Sequence, residues 1–222
     1  MNKLVIVESP NKIKSIEKYL GNEYKVLASV GHVVLLPSSG THRFGVDMET
    51  WTPLYKIDPK KTDVMKQLRT ASKKADEVLI ATDPDREGEA IGENLVSFLK
   101  IENKYKRIRF NEITKEAVNA AVNAPSKLDM ELVEAQIARR ILDRMIGYKL
   151  SSLMRKKVFN SPVSPSAGRV QSIALKLVVE REREIEAFVP VHYFTVDGVV
   201  NEDTLASLHF PNNKENKSWV MP

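Results

Sequence analysis

The chain has 222 residues, 42% hydrophobic and 28% charged, with a net charge of +5 and no cysteine. That is enough for one large or two modest domains of an ordinary soluble protein. It excludes disulfides and thiolate zinc sites within these residues. No apolar run reaches the length of a membrane span or a signal sequence, so the cytoplasm is the expected compartment. The charge is unevenly placed. Residues 139–176 hold nine Lys or Arg against one acid, Asp143, and such a basic block favours a polyanionic partner.

In chain order, Lys3-Leu4-Val5-Ile6-Val7-Glu8 predicts a buried strand that ends in an acid. Ser9 can cap a helix that opens on Pro10 and stops at Gly21. A second strand is predicted over Tyr24 to Ser29, followed by Val30-Gly31-His32. Residues 37–62, rich in Pro, Ser, Gly and Thr, read as a long excursion. A helix over Val64 to Ala75 leads into a strand at 78–82, then a helix from Glu87 to Lys100 and a short strand at Arg107 to Phe110. Thr114 caps a helix running to Asn123. This alternation predicts an α/β fold, a doubly wound, mostly parallel sheet of four strands. Beyond Pro125 the pattern is helical: Asp129 to Leu150, a loop from Arg155 to Pro165, and Ser166 to about Ala187. Residues 191–222 read as the start of a β region. The expected domains are thus 1–128, 129–190 and 191–222.

Chemistry concentrates after the strand at 78–82, in Asp83-Pro84-Asp85-Arg86-Glu87. In extended chain the acids at 83, 85 and 87 share one side. Crowded carboxylates repel unless a cation lies between them, and hard oxygen ligands suit Mg²⁺. Acids in this position also simply cap helices, which accounts for one or two of the three. Glu8 ends another strand of the same sheet, so four carboxylates can meet at one edge, a place where α/β sheets bind ligands. Lys12, in the first turn after Glu8, is placed to meet a phosphate oxygen, although a lone lysine there is more often a surface residue. His32 can be a donor at that edge or a packed, satisfied histidine. Arg140, Arg144 and Tyr148 recur at every fourth residue, which makes either a clamp for an unstacked base or an ordinary charged helix face. Arg169 and Gln171, at a helix start after Gly168, offer donors to a phosphate.

Taken together, the chain resembles the bacterial type IA DNA topoisomerases, on the topoisomerase I side of that family. The resemblance runs through Val5 to Lys12, Ser29 to His32, Arg43-Phe44-Gly45-Val46-Asp47, Ala81 to Ala90, Phe110 to Lys115, Ala138 to Arg140 with Asp143-Arg144, and Ser166 to Ser172. It implies a Toprim domain followed by the start of a helical DNA-binding domain and of a β gate domain. It implies Mg²⁺ held by Asp83, Asp85 and Glu87, with Glu8 nearby as the proton-transfer carboxylate or a further ligand. Lys12 would touch the scissile phosphate, and His32 and Arg86 are further candidates. Arg140, Arg144 and Tyr148 would hold a cytosine upstream of the cut, and Arg169 and Gln171 a single strand. Family members relax negatively supercoiled DNA without ATP through a 5′-phosphotyrosine. None of Tyr19, Tyr24, Tyr55, Tyr105, Tyr148 or Tyr193 stands in the family's tyrosine segment. The chain is therefore expected to be an N-terminal fragment, monomeric, that binds Mg²⁺ and single-stranded DNA without cutting. Two alternatives stay open: a tyrosine-free Toprim primase or nuclease, and a non-catalytic nucleic-acid-binding module.

Overall fold

A computed structural model describes residues 2–38, 43–191, 197–201 and 204–207. Its centre is a four-stranded sheet made of β1 (Lys3–Val7), β2 (Tyr24–Ala28), β5 (Glu77–Ala81) and β6 (Tyr105–Arg107), all parallel, in the order β2-β1-β5-β6. The two central strands are apolar along almost their whole length because helices cover both faces. On one face, α2 (Thr62–Lys74) and α3 (Arg86–Leu99) bury Met65, Leu68, Ile91 and Leu95 against Leu4, Ile6, Val78 and Ile80. On the other, α1 (Ile13–Leu20) and α4 (Lys115–Asn123) bury Ile16 and Val118 against Val5, Val7, Leu79 and Ala81. The alternation 4, 6 against 5, 7 is the period of two expected of a strand.

The caps form where expected. Ser9 caps a one-turn 3₁₀ helix, Pro10–Lys12, that leads into α1; Gly21 (φ +78°) ends α1, and Thr114 caps α4. From β1 the chain crosses outward to β2, and from β5 the other way to β6. The switch of direction therefore falls between β1 and β5, where a crevice opens beyond the strand ends.

Three expectations need correction. The excursion at 37–62 carries a short strand, β4 (Lys56–Ile57), which pairs antiparallel with β3 (Val34–Leu35) just before it. Leu36, Phe44 and Val46 form a third core with Ile141, so much of this segment is packed rather than looped out. The helix expected to stop at Leu150 is α5, Met130–Lys157, capped by Asp129. No glycine or proline interrupts it between Gly147 and Pro162, and Arg155, Lys156 and Lys157 in its last turn complement the helix dipole, so the predicted loop starts only after Lys157. Lastly, β6 ends at Arg107, earlier than Phe110, because Arg107 turns to exchange backbone hydrogen bonds with Ser126.

The chain divides into two compact units, Met1–Arg169 and Val170–Pro222. The second contains nearly all of α6 (Arg169–Glu186) and an antiparallel hairpin, β7 (Asp197–Asn201) and β8 (Thr204–Ser207). The strand expected at Tyr193 to Val196 lies outside the described residues.

Candidate metal and nucleic-acid site

Val7 stands opposite Ala81, so Glu8 leaves the sheet beside the loop that carries Asp83 and Asp85. That loop is held from several sides. Asp85 is extended and caps α3, its Oδ1 accepting from the Gly88 N–H at 2.7 Å, while Thr82 Oγ1 donates to the Gly88 carbonyl at 2.7 Å. Position 88 must be glycine, because a Cβ there would overlap the Asp83 carbonyl. Behind the loop lies Arg107, fully buried. Its Nη1 donates to the carbonyls of Thr82 and Ile108 at 2.8 and 2.7 Å, its Nη2 to that of Asp83 at 2.9 Å, and its Nε to Glu89 Oε1 at 2.9 Å.

Glu89 is itself fully buried and also accepts from Arg109 Nε and from the backbone N–H of Asp129, each at 2.9 Å. Burial opposes the charge of Glu89. The hydrogen bonds from Arg109, Asp129 N–H and Arg107 outweigh it and hold the carboxyl below the usual glutamate range. One network thus fixes both the acidic loop and the first turn of α5.

At the edge itself the Lys12 ammonium pairs with the Asp83 carboxylate. Burial and the negative Asp83 push the Glu8 carboxyl up; Lys12 opposes this and Asp85 adds to it. Glu8 therefore keeps a proton at a higher pH than a free glutamate, which suits a group that gives and takes one.

Glu87 does not continue the row of acids. Because α3 begins at Arg86, Glu87 is helical, and its carboxylate meets His32 Nε2 and Gln136 Nε2. Arg140 Nη1 lies 3.4 Å from His32 Nδ1. With Arg140 the donor, the imidazole carries its proton on Nε2 and donates it to Glu87. Arg86 is exposed at the first position of α3. Among the described residues no three acid or histidine side chains stand at the spacing of a metal cage. Asp83 faces Lys12, Asp85 caps its helix and Glu87 is taken by His32 and Gln136.

Along α5 the stripe continues. Arg140 Nη2 donates to the Val34 carbonyl at 3.2 Å and its guanidinium lies 5.3 Å from the Tyr55 ring centroid. Arg144 donates to the Leu36 carbonyl at 3.0 Å and to Tyr148 Oη at 2.6 Å. Tyr148 Oη also bonds Ser38 Oγ at 2.9 Å, and its ring leans on Phe44 at 6.3 Å between centroids. The Ser38 hydroxyl, followed by Arg144, lowers the Tyr148 phenol below its usual value. A surface cavity of about 670 Å³ opens here, lined by Arg43, Phe44, Tyr148, Lys149 and Arg155 among others. Its cations and rings match what a nucleotide offers, phosphate and base face. Arg169 forks onto Asp143 at 2.8 and 2.9 Å, and Gln171 lies in the first turn of α6, in the second unit.

Residues 3–113 match the Toprim domain family and residues 127–221 the bacterial DNA topoisomerase family. The full-length topoisomerase I of Thermotoga maritima superposes with a TM-score of 0.69 at 42% identity, over 89% of this chain and 35% of that one. The chain belongs to the Toprim-containing DNA topoisomerases. It spans about a third of the length of that Thermotoga relative. Within this topoisomerase chain, sequence reasoning missed Gln136, although it lies one step back on the same stripe as Arg140, Arg144 and Tyr148. It also missed the Glu89–Arg107 network, for which periodicity gives no signal.

Proposed function

We propose that these residues form the acidic edge and the strand-holding helix of a type IA topoisomerase I, which relaxes negatively supercoiled DNA by cutting, passing and resealing strands through a 5′-phosphotyrosine, dependent on Mg²⁺ and independent of ATP. The observation that carries this reading is the hydrogen-bonded run Gln136–Glu87–His32–Arg140, which ties the clamp on α5 to the first turn of α3, directly after the loop that bears Asp83 and Asp85. A strand gripped by the clamp would then be held at a fixed distance from the acids. The divisions 1–128, 129–190 and 191–222 belong to the same proposal.

The donor set fits Mg²⁺. Glu8, Asp83 and Asp85 are hard oxygen ligands, and burial together with the charge of Asp83 already raises the Glu8 carboxyl. Asp83 and Asp85 would hold the ion, with Glu87, kept on His32 and Gln136, as a third carboxylate behind them. Bound there, Mg²⁺ would supply a charge to polarise a phosphate oxygen and offset that of the acids. Lys12 would then be free to meet the scissile phosphate, and Glu8 would deliver or accept the proton of the sugar oxygen. Arg140, Arg144 and Tyr148 would hold an unstacked base, Arg169 and Gln171 the backbone of a single strand. The nucleophilic tyrosine is assigned to none of the tyrosines in these 222 residues. By themselves they would bind Mg²⁺ and single-stranded DNA without cutting it, as a monomer of the cytoplasmic nucleoid.

Calorimetric Mg²⁺ titration tests the edge: binding should be lost in Asp83→Asn with Asp85→Asn. Anisotropy with a single-stranded oligonucleotide tests the clamp, where Arg140→Ala should weaken affinity about tenfold, since a stacked or forked base contact is worth about 1–3 kcal/mol. An SDS-resistant protein–DNA adduct formed by these residues alone, or metal-dependent nicking, would overturn the proposal.

A further inference from the structure

A second basic surface lies on the sheet's α2–α3 face. Residues 59–74 hold six Lys or Arg against one acid, Asp63. Together with the block at 139–176 this leaves a net −8 for the rest of the chain. Within α2, Met65, Leu68 and Ser72 face the core, while Lys66, Arg69 and Lys73 form one exposed stripe at three- and four-residue spacing. Over the seven steps from Lys66 to Lys73 the helix rises about 10 Å.

Two surface cavities adjoin this stripe and share Arg69 and Lys73. One, of about 440 Å³, is completed by Phe98, Lys100 and Lys104, the other, of about 320 Å³, by Thr62, Lys66 and Thr70. No acid is among the described residues lining either cavity, and Lys66, Lys73 and Lys100 make no ion pair among the described residues. Arg69 and Lys104 are fixed in place, Arg69 on the Phe98 carbonyl at 3.3 Å and Lys104 on the carbonyls of Ser72 and Ala75 at 2.6 and 2.9 Å.

Two features of this surface run against stability. Like charges at helical spacing repel. Lys100 occupies the left-handed cap after α3, at φ +58°, where glycine would be unstrained. A bound polyanion would offset the first of these costs by neutralising the stripe.

We propose that this surface binds duplex DNA through its phosphate backbone, apart from the single-strand clamp on α5. The contrast between the two carries the choice of partner. The α5 cavity offers Phe44 and Tyr148 as stacking rings, whereas the α2 stripe offers cations and only the half-buried Phe98. Single strands are held by stacking as well as charge, and a duplex with its bases paired is held by its phosphates.

Anisotropy titrations of the chain with a blunt duplex of about 24 base pairs and with a single strand of equal length, over roughly 50–200 mM NaCl, test this. In Lys66→Glu, Lys73→Glu, Lys100→Glu, duplex affinity should fall at least about tenfold and its salt slope by about three, with single-strand affinity within about twofold of wild type. The matching triple glutamine variant, which introduces no repulsion, should lower the slope by the same amount. Unchanged duplex affinity and slope would overturn the proposal, as would a parallel loss of single-strand binding. Failure of the α5 clamp reads out separately, as loss of single-strand affinity on Arg140→Ala.

Discussion

Two clusters in this chain have the same composition, one acid between two arginines, and opposite surroundings. Glu89 sits between Arg107 and Arg109, with Glu89 and Arg107 closed off from water. Asp143 sits between Arg139 and Arg169, with all three side chains open to solvent, Arg139 at 3.7 Å and Arg169 as a fork at 2.8 and 2.9 Å. Where water is excluded, an unpaired charge has nothing to replace its partner, so each member is indispensable and the cluster can anchor backbone carbonyls. Where water and salt are present, the same pairing is weak and exchangeable. The first cluster is suited to hold the acidic loop still, the second to release Arg169 to a competing anion such as the phosphate proposed for it.

The sharpest break in this comparison is Arg107→Ala, which leaves Glu89 buried and strands the carbonyls of Thr82 and Asp83. It should cost about 3–5 kcal/mol, read as a fall in the urea midpoint. A midpoint equal to wild type would mean the network is not an anchor. Next comes Gly88→Ala, whose new methyl group would collide with Asp83 backbone. Overpacking of this kind costs about 1–3 kcal/mol. Because the collision is with the loop that carries Asp83 and Asp85, the proposed Mg²⁺ ligands, Mg²⁺ affinity should fall even where the variant remains folded.

Titration separates the two kinds of acid. The Glu89 carboxyl lies below the ordinary value of 4.5 in the fold, so its contribution to stability is present above that pH and lost as pH falls through the lowered value. Melting temperature should therefore drop below pH 4.5, less steeply in Glu89→Gln than in wild type. The Glu8 carboxyl lies above 4.5, so its contribution is present below that pH and lost as pH rises through the raised value. Without added metal, Glu8→Gln should therefore melt higher than wild type at pH 7, with the gap closing towards pH 4.5.

These differences also mark what the sequence discloses. The Val- and Ile-rich runs at 3–7 and 77–81 are legible because a strand buried on both faces leaves no other composition, and Ser9 and Thr114 are legible because capping is local. Glu8, Lys12, Asp83 and Asp85 meet because two such strands are neighbours, an arrangement the sequence suggests and the register of Val7 with Ala81 fixes. Period-two spacing puts Glu87 beside Asp83 and Asp85 only while the chain is extended, and the helix starts one residue before it. Arg107 and Glu89 were invisible for a deeper reason. Charged residues normally face water, and nothing local marks a pair 18 residues apart as the exception.

The exposed cluster predicts the smallest effect, and one of opposite sign. Asp143→Asn keeps the shape of the side chain but removes the charge that holds the Arg169 fork. Its denaturation midpoint should be indistinguishable from wild type, because water replaces what the carboxylate supplied. If Arg169 serves single-stranded DNA, the freed guanidinium and the lost repulsion between Asp143 and phosphate act together, and affinity should rise by about twofold at low salt and less as salt increases. A fall in affinity would mean that Asp143 holds Arg169 in its working position, and the exposed pair would then be a scaffold like the buried one.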